Sequence, residues 1–296
     1  MTESVGRTPT FAGSAAQASF GVTDVLLFIM AVIWGVNFVV VKYATHVFSP
    51  VAFTGLRVGV AALFLGSIAM ARGGLSLPRA DVLRLLLLGV LGNGLYQLFF
   101  VHGVARTRAG NAALIIGAVP AFVAVMARFR GVERVKRMTL VGIALSVLGV
   151  ALVIIGSAGS SQGENTLLGA VLVFLGALCW SWYTILLQPY TTRVHVVQLT
   201  AVTAIGGAIP LIIASTPALI DTDWSKVGVG GWSALIYSSA LSMGIAYFFW
   251  YRGLRVLGPT RTAVYANLQP IVALLVAWPF LGEVPTIFQW VGAATI

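Results

Sequence analysis

The side chains with chemistry to offer are the polar and aromatic ones that interrupt long apolar runs. Trp34 and Asn37 stand in the first such run, and Trp180, Ser181 and Tyr183 in a later one. Another run holds Asn93, Tyr96, Gln97 and His102, and a fourth holds Ser238, Ser239, Ser242, Tyr247 and Tyr251. Tyr265, Asn267 and Gln269 come just before Pro270. Rings that bury an apolar body, interleaved with amides and hydroxyls that orient it, make the lining a small amphipathic solute requires. The same residues also have a plain structural reading. Trp and Tyr anchor helices at membrane interfaces, and Asn or Gln can bond a neighbouring helix.

What is missing narrows the chemistry further. No carboxylate falls in the middle of an apolar run, and the three histidines, His46, His102 and His195, are scattered. An intramembrane enzyme needs paired Asp, a Ser/His pair or a metal-binding His cluster, so no catalytic site is expected. The single cysteine, Cys179, excludes an internal disulfide and a multi-cysteine metal site. No metal and no cofactor are expected. The chain has no G-x-x-x-x-G-K-[ST] loop, so ATP is not its direct energy source. A proton-coupled exporter of cations would want a buried carboxylate, and a phosphate-sugar carrier several buried Lys or Arg. Arg57, seven residues after Pro50, is close enough to the outer interface to snorkel there. Neutral or zwitterionic solutes remain.

The elements that hold these residues follow from composition. Of 296 residues, 59% are hydrophobic and 9% charged, against roughly 25% charged in a soluble domain. Such a chain cannot clothe itself for water, whereas a bilayer about 30 Å thick asks for about 20 apolar residues per helix. The runs are continuous, without the alternation of a β-barrel strand. They predict ten spans, at 22–43, 50–70, 82–102, 109–127, 139–156, 167–188, 196–215, 230–251, 262–281 and 286–296. The last is only eleven residues long, as though cut short. Residues 1–21 lack a signal-peptide pattern and read as a disordered cytoplasmic tail, and 157–166 as a polar linker. With the N-terminus inside, thirteen Lys/Arg fall on the cytoplasmic side and four on the other, the asymmetry that orients membrane proteins. The net charge of +10 therefore reflects insertion and anionic lipid, with no nucleic-acid partner implied.

The chain also repeats itself. A shift of 150 pairs Gly94 with Gly244, Phe99 with Phe249, Gly103 with Gly253, Ala113 with Ala263, Pro120 with Pro270, Glu133 with Glu283 and Gly142 with Gly292. A shift of 146 pairs Ala31 with Ala177 and Trp34 with Trp180. Two halves, 22–156 and 167–296, of five spans each must enter the membrane in opposite senses. The charges follow, since residues 128–137 carry five Lys/Arg and their counterpart 278–287 carries none. The expected fold is thus an all-α membrane protein of about ten helices in two inverted five-helix repeats, a recurrent plan of secondary transporters with the site at the midplane. Two halves in one chain also allow it to work as a monomer. Pro120 and Pro270, symmetric and each removing a helical hydrogen bond, read either as kinks or as gates. Gly55 and Gly59, a GxxxG pair, read as packing within the chain.

At this level of detail the sequence resembles a known family. A Trp-bearing first helix in each half (Ile33-Trp34-Gly35-Val36-Asn37-Phe38; Cys179-Trp180-Ser181-Trp182-Tyr183) is similar to the EamA branch of the drug/metabolite transporter superfamily. So is a fourth helix that opens on small residues and carries a proline, followed by a short loop with Glu133 or Glu283. The resemblance covers residues 22–296, and within the family it is greatest to bacterial amino-acid exporters of the inner membrane. It implies a basket of ten helices around a cavity lined by the first, third and fourth helices of each half. The substrate-binding residues expected are Trp34, Asn37, Tyr96, Gln97, Trp180, Tyr183, Tyr247, Tyr265 and Asn267. Export of other metabolites or drugs, or a channel-like facilitator, stays open beside amino-acid export.

Overall fold

A computed structural model describes residues 20–74, 77–131 and 166–295 and six positions between 141 and 149. The fifth predicted span, the charged loop after residue 131, Glu133, the linker and nearly all of the N-terminal tail lie outside the described residues. Among those described the secondary structure is helical throughout. Eight helices are long and apolar enough to cross a membrane: α1 Val22–Val47, α2 Pro50–Ala71, α3 Arg79–Ala105, α4 Ala109–Phe129, α5 Leu167–Thr191, α6 Val196–Ile220, α7 Val229–Val256 and α8 Pro259–Leu281. A ninth, α9, runs Ile287–Thr295. The chain is a multi-pass membrane protein.

Local chemistry sets where the helices begin. Ser49 caps α2, its hydroxyl accepting from the Ala52 amide at 3.4 Å, with Pro50 in the first turn where its missing N–H costs nothing. Thr166 caps α5 in the same way, through the Gly169 amide at 3.1 Å. Gly258, with φ +80°, turns the chain from α7 into α8, and Gly282, with φ +68°, ends α8 in the left-handed region that only glycine enters without strain.

Four helices are irregular inside the membrane. α3 loosens to π geometry over Val90–Leu95, and α7 over Tyr237–Ile245. α4 breaks between Ile116 and Val119, and Pro120 follows at once. α8 tightens to a 3₁₀ turn over Tyr265–Asn267, with Pro270 just beyond. Irregular backbone at membrane depth is tolerated only where protein or a cavity receives its freed polar groups.

Glycines let the helices approach. Gly89 meets the Thr203 backbone, Gly206 the Leu86 backbone and Gly207 the Asn93 backbone, which locks α3 to α6. Gly55 lies against Ser215 and Gly59 against Ile212, so the GxxxG pair serves α2–α6 packing within the chain. Gly35 of α1 receives Val272 of α8. Large apolar side chains such as Leu63, Phe129, Ile213 and Phe280 point outward, where acyl chains would cover them.

A methyl group added at Gly207 would sit 2.4 Å from the Asn93 carbonyl carbon, and backbone cannot yield as a side chain can. Gly207→Ala should therefore cost about 1–3 kcal/mol, the usual penalty of overpacking. Gly66→Ala, with nothing within 4 Å, should be neutral or slightly stabilising. Thermal unfolding of the two detergent-purified variants checks the contrast.

Candidate substrate pathway

Two helices bring the central tryptophans together. Trp34 of α1 and Trp180 of α5 meet edge to face with ring centroids 5.6 Å apart. Tyr247 of α7 stands 5.8 Å from Trp34 and 5.4 Å from Trp180, and Tyr96 of α3 packs on Trp180 at 5.0 Å. Trp250 closes the cluster from behind, fully buried and 5.4 Å from Trp34. Pairs in such geometry are worth about 0.5–1.5 kcal/mol each beyond area burial.

The rings enclose a cavity of about 30 Å³, room for one or two waters and far short of a usual ligand site of roughly 300–1,000 Å³. Trp34, Asn37, Tyr96, Gln97, Trp180 and Tyr247, six of the nine expected binding residues, line it. Gln269 and Ala266 of α8, Ile116 and Val119 beside the break in α4, and Ser242 complete most of the wall. A solute can occupy this place only after the rings move apart.

The polar groups here are fixed by the irregular backbone. The Trp34 indole N–H donates to the Ser242 carbonyl at 2.9 Å, inside the π segment of α7. In the same segment the Tyr237 hydroxyl donates to the Ile33 carbonyl at 2.9 Å, and the Ser238 hydroxyl to Asn37 Oδ1 at 2.8 Å. Gln97 Nε2 donates to the Tyr247 hydroxyl at 2.9 Å, a bond between residues 150 positions apart. Its Oε1 is buried without a hydrogen-bond partner.

Three expected residues lie elsewhere. Tyr183 sits one layer out, its ring 5.3 Å from Trp180 and pressed on Gly92, its hydroxyl bonded to that of Tyr251. Tyr265 bonds the Asp24 carboxylate, which also pairs with Arg261 at 3.0 Å. This cluster ties the start of α1 to the start of α8. Asn267, half-buried, does not line the cavity. A second tie closes the other end: Glu283 accepts from the Ala109 amide at 3.1 Å, at the start of α4, with Arg108 Nε 3.9 Å away. The carboxylate thereby satisfies amides that a helix start leaves orphaned.

One lining residue differs from its expectation. Arg57 does not snorkel to the interface; it is 1% exposed and lines the cavity. The packing of α2 along α6 and against the π segment of α7 covers the side that would have faced lipid or headgroups. A signal for it was present in the sequence, a lone arginine in an apolar run that no carboxylate accompanies.

The sequence matches the EamA-like transporter family over residues 21–155 and again over 167–296. The chain belongs to that family. Among its relatives, the uncharacterized transporter YyaM of Bacillus subtilis is 28% identical over 278 residues, covering 92% of this chain and 90% of that one. The inner membrane transporter YedA of Escherichia coli K12 is 25% identical, covering 91% and 86%. A Salmonella typhimurium protein named "Probable amino-acid metabolite efflux pump" is 28% identical, covering 92% and 91%. A protein of known crystal structure superposes with a TM-score of 0.68 at 18% identity, over 91% of this chain and 92% of its own, and shares the fold. EamA relatives are transporters, and this family membership sets the chain among transporters, not enzymes.

The Gln97–Tyr247 bond gives a direct test of the cavity's polar order. Tyr247→Phe strands a buried amide and should cost about 1–3 kcal/mol, whereas Gln97→Leu with Tyr247→Phe removes both partners and should lose much less. Chemical or thermal unfolding of the single and double variants, read as a cycle, measures the difference.

Proposed function

We propose that this EamA transporter exports amino acids, aromatic and other neutral ones foremost, and related small metabolites across the bacterial inner membrane. In this reading it is a secondary transporter working by alternating access of two inverted five-helix halves, 22–156 and 167–296, joined by the linker 157–166. The N-terminal tail, 1–21, is cytoplasmic. It works as a monomer in the lipid bilayer, without cofactor or nucleic acid.

The observation that carries the reading is a pair of self-meetings. Trp34 and Trp180, equivalent under the shift of 146, touch each other. Gln97 and Tyr247, equivalent under the shift of 150, bond each other. Residues of two related halves that meet their own counterparts mark the axis relating those halves, and inverted-repeat transporters hold their substrate there. The paired breaks ahead of Pro120 and Pro270 support the same symmetry and a gating role for both prolines.

Opposite insertion has support from contacts at the ends. Asp24 sets the start of α1 beside the start of α8. Thr166, at the start of α5, bonds Arg106 beside the start of α4, and Glu283, after the end of α8, caps that same start of α4. The two acidic ties join the halves at opposite ends of the cavity. With both closed and little space between them, the arrangement fits an occluded intermediate of a rocking cycle. The cavity's aromatic walls and amides suit an amino acid with an apolar side chain, and the efflux-pump relative accords with export.

Counterflow in proteoliposomes, with a panel of amino acids, nucleosides and cationic dyes, tests the proposal. Saturable exchange of neutral amino acids is expected, reduced about tenfold or more in Trp34→Ala, Gln97→Ala and Trp180→Ala. Unchanged exchange in all three folded variants would remove the assignment of the pathway, and single-channel conductance in planar bilayers would favour a pore.

A further inference from the structure

We propose that Arg57 is the anchor for a carboxylate on the transported solute, so that the cavity selects a carboxylate attached to an apolar body. The inference deepens the transport reading above and rests on it.

Arg57 carries a charge that the fold leaves uncompensated. Its side chain is buried on the cavity wall, and its Nε and Nη1 have no hydrogen-bond partner. No ion pair joins it to a carboxylate among the described residues. Its guanidinium carbon lies 5.9 Å from the centroids of the Phe53 and Phe100 rings. Such cation–π contacts offset only part of the cost of taking a guanidinium out of water. A structural arginine at this depth would spend its donors on carbonyls or an acid. Arg57 keeps two of them unspent, beside the space where a solute would lie.

The chemistry of the vacant donors points to the ligand. A guanidinium stays cationic at neutral pH and meets a carboxylate through charge-assisted N–H···O bonds. One positive charge balances one carboxylate, whereas a phosphate dianion would leave a charge uncompensated. The same cavity holds an unpartnered acceptor, Gln97 Oε1, whose amide is oriented by its bond to Tyr247. Donors from Arg57 and an acceptor from Gln97 complement a zwitterion, with Trp34, Trp180 and Tyr247 left to cover its apolar side chain.

The test compares phenylalanine with phenylalaninamide, which lacks the carboxylate, and with 3-phenylpropionate, which lacks the amine. Tryptophan fluorescence of the purified full chain reports binding, because Trp34 and Trp180 form the wall. Phenylalanine and 3-phenylpropionate should bind saturably, and the amide about tenfold or more weakly, the scale of one lost charge-assisted contact. Arg57→Gln should erase this preference, and Arg57→Lys should keep part of it. Equal binding of acid and amide to the unaltered protein overturns the inference even if the variants do not fold, and so does binding of none of the three probes. A preference that survives in folded Arg57→Gln overturns it too. Counterflow separates the two levels of the claim. Equal flux of acid and amide removes the anchor and leaves the transporter. Acid-selective binding with no flux of any solute supports the anchor and removes the transport reading.

Discussion

Hydrocarbon offers no hydrogen bonds, and the centre of this molecule is arranged around that constraint. An unbroken α-helix satisfies its own backbone, but the π segment Tyr237–Ile245 disturbs the ladder in mid-membrane. Its polar groups are met by α1. Trp34 donates to the Ser242 carbonyl, while Tyr237 and Ser238 reach back to Ile33 and Asn37. These three bonds join first-half α1 to second-half α7, and they also fix the orientation of the ring on which the aromatic cluster is built. An irregular stretch of backbone thereby positions the site.

Around that centre the molecule divides into tight and loose contacts. The glycines of α3 and α6 bring backbone against backbone, a contact that changes little without being broken. The aromatic cluster is different in kind. Its ring pairs are individually weak, and several of its members, such as Trp34 and Tyr96, are only partly buried. The two acidic ties, at Asp24 and at Glu283, are few and terminal. The aromatic cluster and the terminal ties are thus the softer joints of the molecule, and the α3–α6 seam the firmer one.

Much of this was legible in the sequence because a membrane exaggerates polarity. Apolar length alone gave the eight long helices, to within a few residues at most ends, and the polar or aromatic residues within them pointed to Trp34, Asn37, Tyr96, Gln97, Trp180 and Tyr247. What remained hidden depended on partners far along the chain. Tyr265 reads as a cavity residue, yet Asp24, 241 positions away, holds its hydroxyl. Arg57 looked close enough to the interface to reach it, because linear distance from Pro50 says nothing about which neighbours cover α2. The π segments left no compositional mark that separates them from ordinary helix.

The burial of Arg57 also has an electrical consequence. The residue lies about 10 Å along α2 from its start at about 1.5 Å per residue, well inside the region across which a membrane potential falls. A unit charge carried through the whole of that fall is worth about 2.3 kcal/mol per 100 mV. Any rearrangement that moves the guanidinium through a fifth of it is thus biased by about 0.5 kcal/mol per 100 mV. An anion seated on the guanidinium cancels the charge and the bias with it. A net-neutral zwitterion brings its ammonium along with its carboxylate, so the protein it occupies keeps a unit charge and stays as voltage-sensitive as the empty one.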